Sequence, residues 1–416
     1  MRKMPVFGLL LVILLLVILE YYTYTALRFL LRTSRPSFRT FFTTIYVAVS
    51  IIIILMFLFF PYLRTIEINK ALKNFLFGFS FGFIIAKVLI SLVLILDDLR
   101  RLFFYMISFL PNGEISPEKI EKGMTRSQFL NTIALLLGGG FFMTLLYGMS
   151  NRYNYKVKKI KLKFDNLPES FRGLKAVHIS DIHSGSFNNI KAVKRGVDMV
   201  NSLNADVVFF TGDLVNNKSS EMEEYFNVFK KINAPMGVFS ILGNHDYGDY
   251  VEWESQAAKS QNLEELKQIH HHLGWNLLLD EHVILEKQNE KIAILGVQNV
   301  SFNTRFPTYG NLSRAYQGTE TYPFKVLLSH DPTHWDGEIN TKYKDIDLTL
   351  SGHTHGFQFG VEIPGFKWSV AQYVYKQWAG LYQKENQYIY VNRGFGFLGY
   401  PGRVGILPEI TLIEFA

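Results

Sequence analysis

No cysteine occurs anywhere in the 416 residues, so thiolate metal sites, thiol nucleophiles and disulfide bridges are all excluded. Histidine is missing from the N-terminal part as well. All 11 histidines lie at or after His178, so any imidazole chemistry belongs to the later part of the chain. Charged residues make up only 19%, with a formal net charge of +7. The cations concentrate beside apolar runs (Arg28, Arg32, Arg35, Arg39) or just after them (Arg152, Lys156, Lys158, Lys159), where they serve topology and lipid headgroups rather than nucleic acid. There is no internal repeat and no low-complexity tract.

What the chain does have is apolar residues, 48% of the total, unevenly placed. A helix needs about 20 mostly apolar residues to cross a bilayer. Residues 6–27, 41–63, 75–96 and 129–147 meet or approach that length, so about four transmembrane helices are expected within a domain of residues 1–150. The first run lacks a small-residue cleavage site and three more follow it, so it reads as retained rather than as a cleaved signal. Glu20 and Lys87 lie inside spans that cross in the same direction, at similar depth. Either they pair, or Glu20 sits at the interface and Lys87 snorkels to it. Gly78 and Gly82 have the spacing that permits close helix contact.

From about Lys156 the pattern changes. Residues 157–163 alternate like a half-buried strand, within a linker-and-first-strand segment of 151–170. Strands are predicted over 174–179, 206–210, 238–242, 325–328 and 346–350, and helices over 190–203 and 222–232. This alternation argues an α/β domain over 156–416. Each of the five buried strands ends in polar residues, where α/β folds place their sites. The endings are Asp181-Ile182-His183, Gly212-Asp213, Gly243-Asn244-His245-Asp246, His330-Asp331 and Gly352-His353-Thr354-His355. Each alone is weak, because a D-x-H or G-D sequence is common by chance. The ordered set is not.

That set resembles the calcineurin-like metallophosphoesterases, and more narrowly their membrane-attached bacterial branch. The leader Leu167-Pro168 with Phe171-Arg172-Gly173-Leu174 fits that branch, as does the tail Asn392-Arg393-Gly394-Phe395-Gly396 leading to Pro408-Glu409-Ile410-Thr411. The likeness covers 156–416 and leaves the four-span front unexplained. It implies a four-layer α/β/β/α sandwich that holds two divalent ions. Asp181, His183 and His355 would hold one, Asn244, His330 and His353 the other, and Asp213 would bridge both. His245 would contact the phosphate or protonate the leaving oxygen, with Asp246 orienting it. Nitrogen and oxygen ligands without sulfur favour Mn, Fe or Zn. A pair of such ions would supply a water nucleophile and neutralise the phosphate oxygens. Many family members carry an acidic residue three positions after the bridging aspartate; here it is Asn216.

The resemblance therefore implies a membrane-anchored phosphoric ester hydrolase acting on a phosphomonoester, phosphodiester or pyrophosphate. Two other functions differ in ways the residues can separate. A sensor or scaffold that kept the fold without turnover would be expected to lose a ligand or the G-N-H histidine, and all eight positions are kept. A nuclease would need a basic groove with stacking aromatics, yet no Lys/Arg cluster interleaves the five motifs. Residues 356–382 carry Phe357, Phe359, Phe366, Trp368, Tyr373, Tyr375, Trp378 and Tyr382, either as core or as the mouth of a site for an amphiphilic, lipid-linked phosphoester. Loop charges barely distinguish the two orientations. The segment Thr125–Asn131, however, resembles a degenerate twin-arginine export signal with Ser127 in place of the second arginine. It favours a catalytic domain outside the cytoplasm of a bacterial cell. His178, His282 and His334 are expected to be structural, and the run His270–His272 to be a solvated helix terminus.

Overall fold

A computed structural model describes residues 6–58, 69–107 and 117–416, with the side chains of residues 6, 7, 9, 57, 58 and 117–128 outside the description. The chain divides into two compact units, Met1–Tyr147 and Gly148–Ala416.

The first unit is helical: α1 (Val6–Leu30), α2 (Pro36–Leu58), α3 (Lys70–Ile107) and α4 (Pro117–Ser150, which runs on into the second unit). Each contains a stretch long and apolar enough to cross a membrane. The end of the expected second span (59–63) and most of the export-like segment's side chains lie outside the described residues. Small residues let the helices approach. A Cβ on Gly138 would lie 2.4 Å from Ile90 and 2.9 Å from the Ala86 carbonyl, and one on Gly82 would meet Phe142 at 3.3 Å. Of the two readings for the intramembrane charges, pairing holds. The Lys87 ammonium contacts Glu20 and donates to Ser50 Oγ at 2.9 Å, while Tyr46 donates to the other Glu20 oxygen at 2.8 Å. Every partner is supplied by a neighbouring helix, as a charge in hydrocarbon requires.

The second unit is built on two six-stranded sheets. The first has the order β1 (Lys156–Leu162), β14 (Glu409–Phe415), β2 (Lys175–Ile179), β3 (Val207–Thr211), β4 (Val238–Ile241), β5 (Asn276–Leu277). The second has the order β12 (Gly380–Lys384), β13 (Gln387–Val391), β9 (Leu348–Ser351), β8 (Lys325–Leu328), β7 (Glu290–Gly296), β6 (Glu281–Lys287). Strand alternation sends one set of side chains inward from each sheet. Val207, Phe209 and Ile241 of the first meet Ile294, Val326 and Leu350 of the second in one apolar core. The outer face of the first sheet packs on helices α5 (Ile190–Ser202) and α6 (Gln256–Leu273), and that of the second on short helices carrying Leu312 and Ile339. The result is the α/β/β/α sandwich expected from the resemblance. Strands β2, β3 and β4 run parallel, as do β7, β8 and β9, so their C-terminal ends collect the polar loops together.

The helix expected over 222–232 is different. It shortens to one α-helical turn, Phe226–Phe229, flanked by turns with i→i+3 bonds such as Tyr225 N–H to Met222 and Val228 N–H to Tyr225. This spacing keeps Met222, Tyr225 and Val228 turned toward the core.

Candidate active site

Three of the five strand-end loops are shaped by backbone that few residues adopt. Asp181, His183, Asp213, His353 and His355 all have φ between +49° and +71°, a region that is costly for residues with a side chain and that clusters where function demands it. Two glycines let the loops close on one another. A Cβ on Gly243 would lie 2.2 Å from Asp213 Oδ1, and one on Gly352 would lie 2.2 Å from Asp181 Oδ2.

All seven expected ligands meet there. His183 Nε2 and His355 Nε2 are 3.1 Å apart, and His355 Nε2 is 3.3 Å from Asp181 Oδ1. On the other side His330 Nε2 lies 3.1 Å from Asn244 Oδ1, and His353 Nδ1 lies 2.8 Å from Asn244 Oδ1 and 3.3 Å from His330 Nε2. Asp213 stands between the two groups. Its Oδ2 is 3.4 Å from His183 Nε2 and 3.2 Å from His330 Nε2. A cation with ligands about 2.1 Å away separates neighbouring ligand atoms by about 3.0 Å in octahedral and about 3.4 Å in tetrahedral geometry. The observed spacings match those edges, and two groups, Asp181/His183/His355 and Asp181/Asp213/His330, are each compact enough to hold an ion. The donors fit divalent metal.

The two carboxylate oxygens of Asp213 have different partners. Asp213 Oδ1 accepts the His245 backbone N–H at 2.8 Å, so Oδ2 alone faces both ligand groups. Asp246 differs from expectation, because it does not orient His245. Its oxygens accept the backbone N–H groups of Asp213 (2.9 Å), Leu214 (2.8 Å), Val215 (3.2 Å) and Gly243 (2.8 Å), and so tie two motif loops together. The His245 ring is oriented instead by its Nδ1, 2.8 Å from the Asn216 carbonyl. Asn216 thus contributes through its backbone, which side-chain identity does not reveal.

Electrostatics suit a cationic guest. Burial pushes His183 down to about 3 and also lowers His353 and His355, the direction that favours the neutral form a metal ligand needs. Burial opposes ionisation of both aspartates. The imidazoles of His355 and His330 outweigh it at Asp181, those of His330 and His245 at Asp213, and both carboxyls sit well below their usual range. Despite its burial, His330 is pushed up to about 10 by Asp213 and Asp181, so a cation held there would have to take the place of its proton. Burial and the Asp213 carboxylate push Asp246 up to about 7, opposed by its backbone N–H donors.

Several supporting residues were given no role by the five motifs. Asp331 Oδ2 lies 3.6 Å from His353 Nε2 and accepts Ser301 Oγ at 2.6 Å. Tyr375 OH is 3.0 Å from the same His353 nitrogen. Arg403, fully buried, donates to the carbonyls of His355 at 3.2 Å and Arg393 at 2.7 Å, joining the tail to the last ligand loop. The Thr211 carbonyl fixes His330 Nδ1 at 2.7 Å and so aims Nε2 at the ligands. The ligands open on a cleft of about 460 Å3, whose walls add Phe306, Phe357, Tyr375, Leu398 and Tyr400. Of the expected aromatic stretch, Phe357 and Tyr375 reach the cleft, whereas Trp378 is core and Tyr382 accepts the Trp378 backbone N–H.

Histidines outside the site are structural. His178 bonds Thr211 Oγ1 at 2.9 Å, His282 the Ala315 carbonyl at 3.0 Å, and His334 Ser329 Oγ at 2.8 Å. His270 corrects one expectation. It is fully buried against Ser240 Oγ, at 3.0 Å, while its neighbours His271 and His272 are exposed.

Buried Asp and His side chains on the parallel-strand ends of a double-sheet sandwich are the arrangement of a metallophosphoesterase. Residues 174–357 match the calcineurin-like phosphoesterase family, and residues 3–152 match the family described as probable calcineurin-like phosphoesterase, transmembrane domain. The chain therefore carries a calcineurin-like phosphoesterase domain behind a transmembrane domain, and is a multi-pass membrane protein. A transmembrane protein with metallophosphoesterase domain from Danio rerio is 29% identical over 301 residues, which are 70% of this chain and 64% of that protein. This chain thus spans less than two thirds of that relative. The uncharacterized metallophosphoesterase YkuE of Bacillus subtilis is 29% identical over 306 residues, 70% of this chain and 97% of its own length. The UDP-2,3-diacylglucosamine pyrophosphatase LpxG of Chlamydia trachomatis is 27% identical over 272 residues, 56% of this chain and 81% of its own. Relatives thus include animal as well as bacterial proteins.

Proposed function

We propose that the chain is a membrane-anchored hydrolase of phosphate esters or pyrophosphates that works with two divalent metal ions. The observation that carries this is the convergence of seven donors from five separate strand ends, at 2.8–3.4 Å spacings. Asp181, His183 and His355 would hold one ion, Asn244, His330 and His353 the other, with Asp213 Oδ2 shared. Bound there, Mn, Fe or Zn supplies Lewis-acid stabilisation of the phosphate oxygens and a water of lowered pKa. The residues do the rest. His183, Asp213 and the other ligands would fix the positions of the ions at the floor of the cleft. His245 gives its Nδ1–H to the Asn216 carbonyl, which leaves Nε2 to hold a proton for the departing oxygen. Asp246 keeps Asp213 and Gly243 in register and takes no part in proton transfer.

The substrate we propose is amphiphilic and lipid-linked. Two features support this: the apolar cleft wall of Phe306, Phe357 and Leu398, and the acylated sugar nucleotide in the name of the relative LpxG. We place the membrane domain at residues 1–150 and the catalytic domain at 156–416. The catalytic domain would face outside the cytoplasm of a bacterial cell, on the strength of the export-like segment Thr125–Asn131. Hydrolysis by the full chain of a panel of phosphomonoesters, phosphodiesters and acylated nucleotide pyrophosphates tests the reading. Metal-dependent turnover highest on an acylated member supports it, and preference for a soluble member removes the lipid-linked substrate.

A further inference from the structure

Strands β10 (Gly360–Ile363) and β11 (Phe366–Ser369) form a hairpin apart from both large sheets. In most antiparallel pairs the apolar face packs inward and the polar face meets water. Here the faces are reversed. The register pairs Val361 with Trp368 and Ile363 with Phe366, which puts these four on one face and Gly360, Glu362, Lys367 and Ser369 on the other. The polar face is the one that docks on the domain. Glu362 accepts from Lys158 at 3.0 Å and Arg393 at 2.9 Å, Lys367 lies over the rings of Trp378 and Tyr382, and Ser369 donates to the Gly356 carbonyl at 2.7 Å. The apolar face looks outward, with Ile363 57% and Phe366 53% exposed. The following turn extends the surface through Val370, Val374 and Tyr373, the last 74% exposed.

Three ion-pairing or hydrogen-bonding residues thus hold the hairpin apolar side out, so the exposure is built in. A soluble surface of this kind marks an interaction site, and two observations identify the partner as a lipid surface. The chain enters this domain directly after α4, a helix long and apolar enough to cross a bilayer, so the domain works within reach of lipid. The composition also suits that boundary, with Trp368, Tyr373 and Phe366 beside Lys376, whose side chain is 85% exposed and whose ammonium lies 3.7 Å from Asp336. Between Gly356 and Tyr382 the sole carboxylate is Glu362, and it is turned inward onto two cations. The hairpin and its turn therefore offer apolar and interfacial aromatic side chains with no outward carboxylate of their own, a composition suited to a headgroup layer.

We infer that the outer face of the hairpin and the turn after it rest in the headgroup region of the bilayer. Phe357, three residues before the hairpin, is 42% exposed and also lines the catalytic cleft. Docking by this face sets the cleft mouth at the membrane surface, where a phosphate carried by a lipid enters without leaving the bilayer.

The absence of cysteine makes the test direct. Single variants Ile363→Cys and Phe366→Cys, with Glu264→Cys as a control on exposed α6 surface (side chain 64% exposed), are labelled with an environment-sensitive fluorophore. Each full-length protein is placed in vesicles of phosphatidylcholine and phosphatidylglycerol, with or without brominated acyl chains. The expected result is blue-shifted emission at 363 and 366, with bromolipid quenching severalfold greater than at 264. Equal quenching at all three positions overturns the proposal. Blue-shifted emission that bromolipid does not quench also overturns it, because protein, such as a second copy of the chain, then covers the face. The readout is fluorescence rather than turnover, so docking and the hydrolytic reading stand or fall separately.

Discussion

Gly243→Ala isolates the tightest dependence of the site on local geometry. Gly243 sits at φ −98°, ψ −179°, ordinary extended backbone for alanine, so the substitution carries no backbone penalty. Its whole effect comes from the added methyl, 2.2 Å from Asp213 Oδ1 and 2.6 Å from the Asp213 backbone nitrogen. Relief requires the Asp213 carboxylate to retreat by roughly 1 Å, and overpacking of this kind costs about 1–3 kcal/mol. That retreat breaks the His245 N–H bond to Oδ1 and moves Oδ2 away from both ligand groups. A misplacement of about 1 Å lowers turnover on the order of 10²-fold. Metal content by elemental analysis, thermal unfolding and hydrolysis of a chromogenic phosphodiester measure the three effects together. Gly274→Ala is the control. It has φ +81° and nothing within 4 Å of the new methyl, so it costs about 1–2 kcal/mol of left-handed strain and leaves metal content unchanged. Wild-type metal content and turnover in Gly243→Ala would refute the placement of Asp213 between the two ligand groups.

Three further outcomes follow from the same geometry. His245→Ala should lower kcat by roughly 10²–10⁴-fold with both metals retained; the deficit should shrink for a nitrophenol leaving group, and an equal loss for good and poor leaving groups would assign His245 to phosphate binding. Asp246→Asn should destabilise the fold and release metal, because an amide NH2 must face backbone N–H donors that now meet a carboxylate; a change in kcat alone would restore Asp246 to a catalytic role. Burial lowers His270 to about 3, below its ordinary 6.5, so the unfolded chain gains a proton first and stability falls as pH drops from about 6.5 toward 3. His270→Phe should therefore lose less stability than wild type on acidification, and parallel stability curves would remove His270 from the account.

The five motifs and the parallel strands that carry them were legible because buried apolar runs ending in Asp, Asn and His leave few alternatives. The unusual spacing of Gly-His-Thr-His and Gly-Asn-His-Asp did the same for the ligands. What stayed hidden depends on three-dimensional contact. Asp246 looks like a partner of its neighbour His245, yet three of its four N–H donors lie 31–33 residues away. Arg403 lies 48 residues from His355, outside every motif. The aromatic stretch 356–382 showed no periodicity that would divide cleft, core and hairpin. That division is set by the pairing register and by the docking of Glu362. The Glu20–Lys87 pair was open in the sequence and was closed by Ser50 and Tyr46 on a third helix.

The central claim is that two divalent ions, held by these seven residues, perform the hydrolysis. Its most direct test is metal stoichiometry measured beside turnover, on full-length protein before chelation, after chelation and after re-addition of Mn, Fe or Zn, with Asp213→Asn in parallel. The account predicts two equivalents per chain in the wild type, activity lost and regained with them, and weakened binding of both ions with little activity in Asp213→Asn. Undiminished hydrolysis by the chelated protein, or wild-type turnover in Asp213→Asn, would contradict it.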